Sequence, residues 1–162
     1  MARIRGFIKA TPPEHQRISL QDVCTNVMRL MNDWLRSERV QMQWHAPEEG
    51  LHVQGDPVQL AQILVNLIRN SGQATAEQAQ RRIILTLTQD GAHARLQVQD
   101  NGCGFSQACL QNDAPVFYTT KQDGLGVGLA ISRHIAEQHR GHLTMSNAPE
   151  GGAIVRLTLP LV

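Results

Sequence analysis

From Ser19 onward, apolar residues recur in steps of three and four, at Val23, Val27, Leu30, Met31 and Trp34. That spacing predicts an amphipathic helix. "VQMQWHA" (40–46) and "LHVQG" (51–55) alternate instead, like two short strands joined across a turn at 47–50. Asp56-Pro57 then offers an N-cap and a first-turn proline to a second helix. That helix is expected to run to about Ala79, with Leu60, Ile63, Leu64, Leu67 and Ile68 as its buried stripe. "RRIILTLTQ" and "HARLQVQD" alternate again around Asp90-Gly91, a hairpin signal. An irregular stretch follows over 101–125. A third helix is expected over 126–140, stopped by Gly141, and "HLTMSNA" and "GAIVRLTLP" close the chain as a second hairpin.

The strand faces extend this pattern. Ile83, Leu85, Leu87, Leu96, Val98, Leu143, Met145, Val155, Leu157 and Leu159 share one side by parity. Thr86, Thr88, Arg95, Gln97, Gln99, Thr144, Ser146, Arg156 and Thr158 take the other. A sheet apolar on one face only is antiparallel in large part and covered on that face alone. The expected class is α/β: a two-layer sandwich, its mixed, mostly antiparallel sheet covered by three helices on one face.

Length and composition narrow the function. A chain of 162 residues with 41% apolar content suits one core. A net charge of +1 favours neither nucleic acid nor an anionic membrane. No apolar run approaches membrane-spanning length. The cysteines Cys24, Cys103 and Cys109 lack metal-site spacing and read as reduced thiols. His134 and His139 sit five apart, the wrong interval for one helical face. Pro12-Pro13 would break any helix arriving from upstream, so residues 1–10 read as the tail of a preceding element.

Three features carry chemistry. Asp100 shares the parity of Leu96 and Val98 and so faces the helices, where a carboxylate is costly without hydrogen bonds. A ligand donor such as the adenine amine would suit it; so would its own "NGCGF" loop, with Asp100 as cap. Asn66 and Asn70 lie four apart beside the second helix's stripe, with Gln59 on the same border. Their carbonyl oxygens suit a magnesium ion, which takes its remaining ligands from water and phosphates; an ordinary polar flank is the other reading. Gly124, Gly126 and Gly128 precede the third helix, where bare N–H groups and the helix dipole favour an anion. Tyr118, Thr119, Thr120 and Lys121 stand just upstream. The alternative there is a turn packed closely on the sheet. The spacing is neither the dinucleotide fingerprint nor a phosphate-binding P-loop.

"LAQILVNLIRNSGQA", "DNGCGF", "FYTTK" and "GLGVGLAISRHIAEQHRGHL" resemble, in order, the N, first G, F and second G boxes of sensor histidine kinase catalytic domains. "NAPEGGAIVRLTLPL" is similar to that family's closing hairpin. These kinases belong to the wider GHKL ATPases. The resemblance spans residues 15–160 and implies a Bergerat-type ATP-binding fold. It makes Asn70 the main magnesium ligand, with Asn66 beside it near the phosphates. Asp100 would accept from the adenine amine, with Gly102 and Gly104 shaping that wall. Residues 105–124 would form the lid over ATP. Lys121 and the amides of Gly126 and Gly128 would meet the phosphates, with hydroxyls from Tyr118, Thr119 and Thr120 nearby, and Gly124, Leu125, Val127 and Leu129 would complete the nucleotide-binding set. Arg69 is a further phosphate contact on this reading.

Two positions depart from the family pattern: Gln73 stands where many members carry Lys, and Ser71 replaces Ala. The family's phosphoacceptor motif, a His on a helical hairpin, has no match in the sequence. The resemblance therefore implies two parts: residues 1–13 as the tail of a dimerisation and phosphoacceptor helix, and 14–162 as the catalytic ATP-binding domain. The implied reaction moves the γ-phosphoryl of ATP to a histidine on that separate domain, with ATP and Mg2+ required. The implied partners are the dimerisation domain and a response regulator. The domain is expected in the cytoplasm as a monomer, its parent as a homodimer with a possible inner-membrane anchor. A nucleotide-binding regulatory module without turnover, or another GHKL ATPase, are the alternatives.

Overall fold

The computed structural model describes residues 15–112 and 125–162, so the expected tail at 1–13 lies outside it. Strand β1 (Gln16–Ser19) leads into helix α1 (Leu20–Ser37), followed by β2 (Val40–His45), β3 (His52–Gly55) and helix α2 (Pro57–Ala74). Then come β4 (Arg81–Asp90), β5 (His93–Asp100), the short helix α3 (Gln107–Asn112), helix α4 (Leu125–Gln138), β6 (His142–Asn147) and β7 (Ala153–Pro160). Five strands form one sheet in the order β2-β4-β5-β7-β6. Among the described residues, only the β2–β4 pair is parallel. The expected two-layer α/β architecture is present, with α1, α2 and α4 over the apolar face.

β2 and β3 do not pair, contrary to what their shared turn suggests. β3 pairs with β1 in a separate two-stranded ribbon, which the sequence reading missed. The turn between β2 and β3 is held elsewhere. Gln21 Nε2 donates to the Glu49 carbonyl (2.8 Å), and its Oε1 accepts from Leu51 N (3.0 Å). Leu20 N donates to Leu51 O (2.9 Å). Those backbone groups are satisfied by the first turn of α1, so no hairpin ladder is needed there.

Ser19 caps α1 by accepting from Asp22 N at 3.2 Å. Its buried stripe is Leu20, Val23, Cys24, Val27, Met31 and Leu35. Leu30, expected in that stripe, is 74% exposed, because one residue step of about 100° carries it off the line through Met31. Trp34 is half-buried and rests on Gly72 of α2, where an added Cβ would stand 2.6 Å from its ring. Asp56 caps α2 as expected, its Oδ1 accepting from Val58 N (2.9 Å) and Gln59 N (3.4 Å).

α2 ends at Ala74, not near Ala79, because its last carbonyls are taken. The Gly72 carbonyl accepts from Thr75 Oγ1 (2.6 Å) and from Arg81 Nη2 (2.8 Å). Arg81 Nη1 also donates to the Glu38 carbonyl at the end of α1 (2.7 Å). One guanidinium therefore closes the negative ends of two helices. At the end of α4 the left-handed residue is Arg140 (φ 62°), not Gly141. Gly141 is small for another reason: a Cβ there would strike the Thr158 carbonyl of β7.

The β4–β5 hairpin turns at Gly91 with φ 62°, and the apolar parity set of the sheet is buried as the alternation requires, except Met145, which is half-buried against the core. Cys24 is fully buried, and desolvation pushes its thiol up to about 12. Among the described residues, no helix is long and apolar enough to cross a membrane, and no cluster of His, Cys, Asp or Glu could hold a metal ion.

Candidate functional site

Asp100 ends β5 and is 3% exposed, on the helix side as its parity requires. Its Oδ1 accepts from Gly102 N at 2.8 Å and from Ala153 N at 3.1 Å. The residue therefore does cap its own loop, and it also ties that loop to β7. An ionised carboxylate can accept about four hydrogen bonds, so a ligand N–H is chemically compatible with these two.

The loop glycines have specific reasons. A Cβ on Gly102 would run into the Ala74 carbonyl, and Cys103 N donates to that carbonyl at 3.3 Å. The loop thus rests on the C-terminal end of α2. Gly104 takes φ +76°, beside the Asn147 side chain. Asn147 holds the next residue at two points: its Oδ1 accepts from Phe105 N (2.8 Å) and its Nδ2 donates to Phe105 O (2.9 Å). Sequence reading missed Asn147, which looks like an ordinary strand-end residue. Gly152, φ +97°, was also missed; a Cβ there would collide with the Asp100 carbonyl.

On α2, residues 66, 70 and 74 follow at steps of four and share one stripe. Asn66 touches α4: its Nδ2 donates to Gly128 O (2.9 Å) and to Ser132 Oγ (3.2 Å). Ala74 touches the Asp100 loop. Asn70 lies between these contacts, one turn from each, and its Nδ2 is buried with no hydrogen-bond partner. Gln59 Oε1 is the other such atom among the described residues. An unsatisfied buried amide is costly unless something binds to it. That orphan fits a bound nucleotide and its metal, since a side-chain amide carries both a donor for phosphate oxygen and an acceptor for a cation.

α4 enters the site at its N-terminal end. Gly128 is small because a Cβ would stand 3.0 Å from Asn66 Oδ1. Leu129 is 5% exposed, and its side chain belongs to the core. The backbones of Leu125, Gly126 and Val127 form the first turn of the helix. At the other end, buried His139 accepts from Asp56 N at its Nε2 (3.0 Å), and its Nδ1 lies 2.8 Å from Ile135 O. That contact ties the end of α4 to the N-cap of α2. Arg69 is exposed. Tyr118, Thr119, Thr120, Lys121 and Gly124 lie outside the described residues.

Residues 55–162 match the family model described as histidine kinase-, DNA gyrase B-, and HSP90-like ATPase. The chain belongs to that ATPase family. It is 35% identical over 159 residues to the sensor protein FixL of Bradyrhizobium diazoefficiens, a match covering 98% of this chain and 32% of FixL. It is 34% identical over 162 residues to the C4-dicarboxylate transport sensor protein DctB of Pseudomonas aeruginosa, covering 98% of this chain and 26% of DctB. The chain thus spans about a third or less of the length of these relatives. Among solved structures, the catalytic domain of histidine kinase ThkA superposes with a TM-score of 0.81 at 26% identity, covering 91% of this chain and 95% of that domain. The architecture is that of a histidine kinase catalytic domain, and the relatives are sensor proteins.

Proposed function

We propose that the chain is the catalytic, ATP-binding part of a sensor histidine kinase. It would pass the γ-phosphoryl of ATP to a histidine on a separate dimerisation domain, from which a response regulator is charged. The observation that carries this reading is the placement of Asn70. Its unsatisfied amide sits between the Asp100 loop on one side and the start of α4 on the other.

Each group has a role that follows from its chemistry. Buried Asp100 would accept from an exocyclic amine, with Gly102, Gly104 and Gly152 allowing the backbone to close around it. Asn70 Nδ2, a buried donor without a partner, would donate to a phosphate oxygen, and the oxygen of the same amide would hold the metal. The N–H groups of the first turn of α4 lack intrahelical acceptors and suit phosphate oxygens. Lys121, with Tyr118, Thr119 and Thr120, would add a cation and hydroxyls; Arg69, exposed on α2, would add a second cation. Magnesium, when bound, would neutralise the charge on the transferring phosphoryl group. The domain itself performs positioning and charge stabilisation, while the nucleophile comes from elsewhere.

The test supplies the parent's helical hairpin together with γ-labelled ATP. The account expects acid-labile, alkali-stable label on the hairpin histidine. Nucleotide binding with no such label under any condition would replace the kinase reading with a regulatory binding module.

A further inference from the structure

Three polar groups meet between α2 and α4. Asn66 Nδ2 donates to the Gly128 carbonyl and to Ser132 Oγ, and Ser132 is 0% exposed. The other end of the same amide, Oδ1, lies 3.0 Å from where a Cβ on Gly128 would stand. Both ends of the Asn66 amide are thus turned toward α4. The Gly128 carbonyl is the ordinary helical acceptor for residue 132, so Asn66 occupies its second acceptor position. A buried hydroxyl and a half-buried amide meeting this way satisfy groups that would otherwise be costly orphans.

We infer that Asn66 and Ser132 form a clamp that positions the first turn of α4, and that Asn66 acts through this helix and not as a metal ligand. α2 is held to the sheet by its stripe of Leu60, Ile63, Leu64, Leu67 and Ile68, each at most 2% exposed. The clamp sits one turn inside α4, directly behind residues 125–127. It therefore sets where the free N–H groups of that turn lie relative to Asn70, one turn along α2. Ser132 is a positioning residue that the motif reading did not single out. Its effect on affinity rests on the nucleotide reading above; its effect on α4 does not.

Two variants separate the roles. Asn66→Asp keeps an oxygen that suits magnesium but cannot donate to the Gly128 carbonyl. Ser132→Ala removes the hydroxyl and leaves the metal-facing groups intact. ADP affinity is measured by calorimetry with magnesium and again in excess EDTA, and amide hydrogen exchange of α4 is followed without nucleotide. The clamp predicts that Asn66→Asp weakens ADP about tenfold in both conditions and Ser132→Ala about threefold in both. It also predicts exchange in α4 about tenfold faster in either variant. A loss or gain confined to the magnesium condition in Asn66→Asp would overturn it in favour of a ligand role. Wild-type affinity and wild-type α4 exchange in Ser132→Ala would overturn it as well. If Asn66→Asp does not fold, Ser132→Ala decides alone. If the wild-type chain binds no ADP, the nucleotide reading falls and the exchange measurement still decides the clamp.

Discussion

Helices α1 and α2 have the same length, 18 residues each, and lie over the same sheet, yet they are built for different ends. Every side chain that α1 buries is apolar or a thiol. α2 buries its own apolar stripe and adds a polar border of Gln59, Asn66 and Asn70, in which two atoms have no partner. α1 contributes stability alone. α2 gives up some stability along one border, and that border faces the Asp100 loop and the start of α4. Polar groups left unsatisfied inside a folded chain mark where a ligand is expected, and the helix that carries them is the functional one.

The largest effects should not distinguish the two helices. Leu67→Ala in α2 and Met31→Ala in α1 each remove a buried side chain and should cost about 3 kcal/mol of unfolding free energy. Urea titration checks this, and a loss under 1 kcal/mol at either site would mean that one helix does not share the core. Arg81→Met comes next, at about 2–3 kcal/mol, since it leaves the Gly72 and Glu38 carbonyls short of a charged donor. Because Arg81 serves both helices, hydrogen exchange should quicken at the C-terminal ends of both. A change limited to one would mean that Arg81 does not serve both helix ends.

The third effect belongs to α1. The Cys24 thiol stays protonated in the folded chain up to about 12, while in the unfolded chain it ionises near 9.0. Its contribution is complete below pH 9 and is lost as pH rises from there toward 12. At pH 10 the loss should be on the order of 1 kcal/mol. Cys24→Ala should remove that slope, read from urea midpoints at pH 8 and pH 10. The smallest effect on stability sharpens the contrast most. Asn70→Ala should change unfolding free energy by less than about 0.5 kcal/mol, because its buried donor has no partner to lose. A loss of about 2 kcal/mol or more would mean that Asn70 is structural, and α2 would then resemble α1.

Much of this was legible from residue order. Period two along β4–β7 gave the buried face of the sheet, and Asp100 broke that pattern on the face where it lies in the structure. Asp56-Pro57 marked the start of α2 because capping chemistry is local. What escaped was long-range. The partner of β3 is β1, and Gln21 reaches forward to the turn before β3 across 28 and 30 positions. Arg81 looked like the polar start of a strand, and its work at two helix ends depends on where α1 and α2 finish. Ser132 and Asn147 act through bonds to segments far away in sequence. Composition and spacing register no such pairing, because it arises only once the sheet order brings those segments together.

The central claim is that Asp100 and Asn70 face one nucleotide. Calorimetric titration of magnesium–ADP into the wild-type chain, Asp100→Asn and Asn70→Ala tests it most directly, with thermal unfolding run alongside to confirm that each is folded. The account predicts saturable binding to the wild type and a loss of about tenfold or more in each variant. Wild-type affinity in both folded variants, or no binding to the wild-type chain at all, would contradict it.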